Sequence, residues 1–153
     1  MPAVHQSSSS FSAPAENVFQ AALGVVQNTK SMKILAVHNE GRRLVALGKS
    51  MMTNSRIYVI GVDPEGTETA LNIAVFADPR MREAALDGTF NKKSAGKYLA
   101  SVESALNGDT PAPSSPVPNH FMQKKNQIPW EDPNVEPDIQ LGFSWLGLAS
   151  HTN

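Results

Sequence analysis

The sequence predicts an α+β domain: a four-stranded antiparallel meander sheet flanked by an N-terminal and a C-terminal helix, then a long, mostly irregular tail. Three observations predict it. Apolar stripes at helical spacing open and close the body. Between them, short alternating runs rich in β-branched residues are joined by hairpin-length connections, which favour a meander over crossover units. The strands are also apolar on both faces. Ile57 and Val59 alternate with Tyr58, Ile60 and Val62, and Val45 and Leu47 alternate with Leu44 and Ala46. An antiparallel sheet needs one apolar face to pack on helices, because the other can meet water. Two helices cover one side of a small sheet, so this pattern calls for a second cover.

Residues 1–11 carry the run Ser7-Ser8-Ser9-Ser10 and read as a flexible leader. The domain proper spans residues 12–107. Ser12 suits an N-cap and Pro14 the first helical turn; Val18, Phe19, Ala22 and Val26 then place one stripe on a helix running to about Asn28. Lys33–His38 is the first strand, turned by Asn39-Glu40-Gly41 into Arg43–Leu47. Gly48–Asn54 reads as a longer turn or bulge. Arg56–Val62 is the third strand, closed by the turn Asp63-Pro64-Glu65-Gly66, and Thr67–Phe76 is the fourth. Asp78-Pro79 caps a short helical turn through Leu86, with Gly88 as its stop. Ser94 opens the closing helix, whose Ala95, Tyr98, Leu99, Val102 and Leu106 share a face up to Asn107-Gly108.

Residues 108–128 form a Pro/Ser-rich linker, with Thr110–Pro118 too proline-rich for a helix or a central strand. Residues 129–153 form an acidic and aromatic tail. It holds both tryptophans of the chain, a poor composition for a freely solvated segment.

Composition excludes several functions. With no cysteine there are no disulfides, thiolate nucleophiles or Cys-based zinc sites. A formal charge of −1 gives no global basic field, which argues against nucleic acid. That charge is uneven: residues 12–107 carry eleven Lys and Arg against nine Asp and Glu, whereas residues 108–153 carry two against five. The N-terminus lacks the basic start and apolar core of a secretory signal, and no run is long enough to span a bilayer. The expectation is a cytoplasmic protein.

The body resembles a family of small uncharacterised bacterial domains with a helix–four-strand–helix layout. The resemblance covers residues 12–107. It lies in Pro14-Ala15-Glu16-Asn17-Val18-Phe19, in Gly48-Lys49-Ser50-Met51-Met52 and in Leu86-Asp87-Gly88-Thr89-Phe90-Asn91-Lys92-Lys93. It implies a fold and no activity. Where that pattern places aromatic residues, Thr53-Asn54 and Thr89-Phe90 stand here.

No catalytic or metal site is expected, and no cofactor. The histidines at 5, 38, 120 and 151 lack metal-ligand spacing, and no phosphate loop or nucleophile elbow occurs. His38 reads as a surface or hydrogen-bonded strand-end residue, and Asp87 as part of a helix stop. The expected function is a non-enzymatic binding or assembly module that meets a protein partner, or a second copy of itself, through the apolar sheet face and the tail. Trp130, Ile139, Leu141, Phe143, Trp145 and Leu146 are the proposed anchors, being large, stiff and in extended register. Contact of the tail with a membrane surface is a lesser reading of the same residues. The alternative is a carrier or sensor of a small apolar ligand or lipid held between sheet and last helix, with Met51 and Met52 at the pocket mouth. Arg80, Arg82, Lys92, Lys93 and Lys97 form a basic cluster that reads either as an anion site or as a solvated rim.

Overall fold

The computed structural model describes residues 3–50, 54–82 and 87–150, with Asp87 known by its backbone alone. Among the described residues seven strands form one antiparallel sheet, not four. They are β1 (Val4–Phe11), β2 (Met32–His38), β3 (Arg43–Gly48), β4 (Arg56–Glu65), β5 (Glu68–Ala77), β6 (His120–Gln123) and β7 (Asn126–Pro129). Their spatial order is β1-β5-β4-β3-β2-β6-β7. The expected meander is the middle of this sheet, and strands drawn from the presumed leader and linker extend it at both edges.

The segment read as a flexible leader is β1, paired with β5 along its whole length from Val4↔Phe76 to Phe11↔Thr69. Its serines hid it. Main-chain ladder bonds hold an edge strand without apolar side chains, so a polar run looks like a tether in sequence. At the other edge β6 pairs with β2 through Ala36↔Phe121 and Val37↔His120, and β7 folds back on β6. The β4–β5 hairpin turns on Gly66-Thr67, with Glu65 opposite Glu68 and Gly66 at a φ of 63°. This turn lies slightly beyond the expected Asp63–Gly66.

Helix α1 (Ala15–Gln27) begins after Pro14 and buries Val18, Phe19, Ala22, Leu23, Val25 and Val26. Side chains add to the bonds of its last turn: Asn28 Nδ2 donates to Gly24 O at 2.7 Å, beside the Asn28 N–H, and Thr29 Oγ1 donates to Val25 O at 2.6 Å. Helix α2 (Asp87–Asn107) starts seven residues before Ser94, so Gly88 lies inside its first turn and does not stop a helix there. Asp78–Arg82 is a turn, and the remainder of the expected short helix lies outside the described residues. α1 packs on β2, β4 and β5, while α2 packs on β5, β1 and α1.

Two apolar cores result, one on each side of the sheet. On the helix side Leu44, Ala46, Ile60, Val62, Leu71, Ile73 and Val75 meet α1 and α2. On the other side Val45, Leu47, Ile57, Val59, Ala74 and Phe76 meet Trp130, Ile139, Leu141, Trp145 and Ala149. The second cover is thus the chain's own C-terminal segment.

Candidate functional site

That segment reaches its position by a defined path. The proline-rich stretch is extended, as its composition requires, and lies as a strap on α1. Gln27 Nε2 donates to Ser115 O at 3.0 Å, Gln27 Oε1 accepts from Ser115 N–H at 2.8 Å, and Asn28 Nδ2 donates to Pro113 O at 2.9 Å. A Cβ on Gly24 would sit 1.8 Å from Ala112 O, so only glycine permits this approach. Asn39 then donates through Nδ2 to Val117 O and to Asn119 Oδ1, and Asn119 Nδ2 donates to Glu40 Oε1 at 2.6 Å. That last bond holds the Glu40 carboxyl below its ordinary pKa.

The anchors named from sequence sit on the far face. Trp130, Ile139, Leu141 and Trp145 are buried, whereas Phe143 and Leu146 are partly covered. Trp130 packs edge-on against Trp145 at 6.2 Å and against His38 at 5.5 Å, and Phe143 meets Phe76 at 5.2 Å. Trp130 Nε1 donates to Asp132 O at 2.7 Å, which satisfies its buried polar handle. Glu136 Oε1 accepts from the backbone N–H groups of Trp145 (2.7 Å) and Leu146 (2.6 Å), capping the 3₁₀ turn Leu146–Ala149. That turn sits on Gly61, where a Cβ would come within 2.2 Å of Ala149 O. A two-faced apolar sheet thus signalled this face in sequence, and the chain itself occupies it.

His38 is buried, not a surface residue. Gly41 N–H donates to its Nδ1 at 2.9 Å, which leaves Nε2 as the N–H donor to Glu131 O, also at 2.9 Å. The ring therefore ties the β2–β3 turn to the tail. His120 is buried as well, with Nδ1 2.7 Å from Pro118 O. Among the described residues no three His, Cys, Asp or Glu side chains gather to hold a metal ion.

The helix side differs: it opens into a cleft of about 360 Å³. α1 lies toward β2 and α2 toward β5 and β1, so the sheet floor between them is left partly uncovered. The floor is Tyr58 on β4 and Gly48 on the neighbouring β3, and a Cβ on Gly48 would meet the Tyr58 ring at 2.8 Å. Val25 and Met32 line one wall; Phe90 and Tyr98 line the α2 wall. Tyr58 and Tyr98 pack ring to ring at 5.8 Å, and the Tyr98 hydroxyl donates to Ala22 O at 2.6 Å, pinning α2 to α1. Burial pushes the Tyr98 phenol well above its usual pKa, so it remains a neutral donor. Arg56, itself buried, places its guanidinium 5.6 Å from the Phe90 ring centre.

The basic cluster read from sequence is divided by the fold. Lys93 and Lys97 line the cleft, joined by Lys49 and Arg56, which sequence reasoning had not grouped with them. Arg80 is paired with Asp78 through Nε–Oδ1 at 2.8 Å and Nη2–Oδ2 at 2.9 Å. Arg82 offers its carbonyl to Asn54, and Lys92 is exposed on α2 outside the cleft. Met51 and Met52 lie outside the described residues; Gly48, Lys49 and Ser50, just before them, line the cleft.

No protein-family model and no curated protein matches the chain. Solved structures do. The chain is similar to the crystal structure of Ara h 8.0201, at 10% identity and a TM-score of 0.52, over 69% of this chain and 98% of that one. The fold is like that of Ara h 8.0201. It is also similar to DynU16, a protein of the dynemicin biosynthetic locus, at 11% identity and a TM-score of 0.51, over 72% of this chain. The chain spans about half the length of DynU16, 49%. At these identities the likeness concerns the fold. Among the described residues no helix is long and apolar enough to cross a membrane.

Proposed function

We propose that the protein is a non-enzymatic carrier or sensor of a small, largely apolar molecule, held in the cleft between α2 and the sheet. The observation that carries this reading is the cleft itself. Its volume of about 360 Å³ lies in the range of small-molecule pockets, and Tyr58, Tyr98, Phe90, Met32 and Val25 offer it apolar and aromatic surface. The fold adds support, since the solved structures it resembles, Ara h 8.0201 among them, are Bet v1-like ligand-binding folds. The assembly reading is the weaker one, because Trp130, Ile139, Leu141 and Trp145 are buried on the chain's own sheet.

The neutral fluorophore N-phenyl-1-naphthylamine tests the proposal. Its emission should rise saturably with the protein, and native mass spectrometry should show one bound molecule. Ser101→Phe, which places a ring in the cleft from α2, should weaken binding roughly tenfold or more by steric exclusion while leaving the unfolding transition in place. Unsaturable binding, or binding indifferent to Ser101→Phe, would remove the reading.

A further inference from the structure

The charge around the cleft is one-sided. Lys49 at the end of β3, Arg56 at the start of β4, and Lys93 and Lys97 on α2 all line it, with no Asp or Glu among the described lining residues. The chain as a whole carries 14 acidic residues and 13 Lys and Arg, so composition does not account for this asymmetry. Lys93 and Lys97 stand one helical turn apart, a spacing at which like charges repel. None of the three lysines has an ion pair or a side-chain hydrogen bond among the described residues. The lysines are exposed at the rim, whereas Tyr98 is buried and Tyr58 and Phe90 are half-buried within. Ser94 and Ser101 add hydroxyls on the same wall. Apolar floor and cationic rim thus face one volume.

We infer that the ligand is an amphipathic organic anion. Its ring or chain lies on Tyr58, Tyr98 and Phe90, and its acidic group, a carboxylate or sulfonate, meets Lys49, Lys93 and Lys97. The inference rests on the carrier reading and narrows it to a chemical class. Lysine suits this role, since a flexible point charge accepts an acidic group without demanding the fixed geometry of an arginine fork.

Two dyes of one skeleton separate the claims. 1-Anilinonaphthalene-8-sulfonate is N-phenyl-1-naphthylamine with a sulfonate added. At low salt the sulfonate should bind about tenfold more tightly, the sum of several exposed charge contacts of modest individual strength. The advantage should shrink near ~1 M NaCl, where screening acts within a few ångströms. It should vanish in the Lys49→Gln, Lys93→Gln, Lys97→Gln triple variant, whose affinity for the neutral dye should be unchanged. Equal binding of both dyes, or a preference that survives the triple variant, overturns the anion inference and leaves the carrier reading intact. Failure of both dyes to bind overturns both. If the triple variant instead loses only binding to phosphatidylglycerol vesicles, with the dye ratio unaltered, the lysines face a lipid surface and the inference also falls.

Discussion

The two faces of the sheet are lined by similar residues and covered in different ways. On the helix side α1 and α2 act as rigid struts. A helix presents a stripe of fixed curvature, so two helices packed on a twisted sheet leave a gap wherever their stripes do not meet. Here that gap is floored by Tyr58 and Gly48. On the far side the cover is irregular chain, free to bend at Gln140 and Gly142, both in the left-handed region, and to seat Trp130 and Trp145 against each other. The comparison teaches that regular elements make a cavity and irregular chain fills one. The cleft proposed for the ligand belongs to the helix face, and the buried aromatic cover belongs to the tail face.

Trp145→Ala should have the largest effect. Removing a tryptophan that is 2% exposed should cost about 3–5 kcal/mol, read as a lower urea midpoint at unchanged slope. If the faces are independent, the surviving folded fraction should still bind the neutral dye with wild-type affinity. A parallel loss of affinity would break the comparison.

Glu136→Ala should come next. It leaves the Trp145 and Leu146 N–H groups without their carboxylate cap and should cost about 1–2 kcal/mol by the same measurement. A change near zero would mean that the aromatic contacts alone hold the 3₁₀ turn.

The smallest effect concerns the junction between strap and β2–β3 turn. Because Asn119 lowers the Glu40 pKa in the folded state, the carboxylate adds stability that is complete above its ordinary value of 4.5. That stability is lost as the pH falls through the lower folded-state value. The wild type should therefore lose its advantage over Glu40→Gln in acid, and equal stability of the two at all pH values would show the junction to be inert.

Much of this was legible in particular residues. Val45, Leu47, Ile57 and Val59 announced a second covered face, because a wet face would not carry them, and the aromatic tail was the composition able to cover it. The cleft was legible only in outline. Lys93 and Lys97 are neighbours on a helix and can be grouped from sequence, but Lys49 and Arg56 join them through strand pairing, with Gly48 opposite Arg56. β1 escaped notice since an edge strand with alternate residues in solvent can be built from serine. Strands β6 and β7, at four residues each, were too short to show a period.

The sequence by itself determined the four central strands, the greater part of both helices and the need for two covers, since side-chain period and hydropathy are local properties of the chain. Tertiary structure alone decided which segment supplied the second cover, how many strands the sheet holds, and where three lysines and a pair of tyrosines meet. Those outcomes rest on contacts between residues far apart in the chain, and no local pattern encodes their distance.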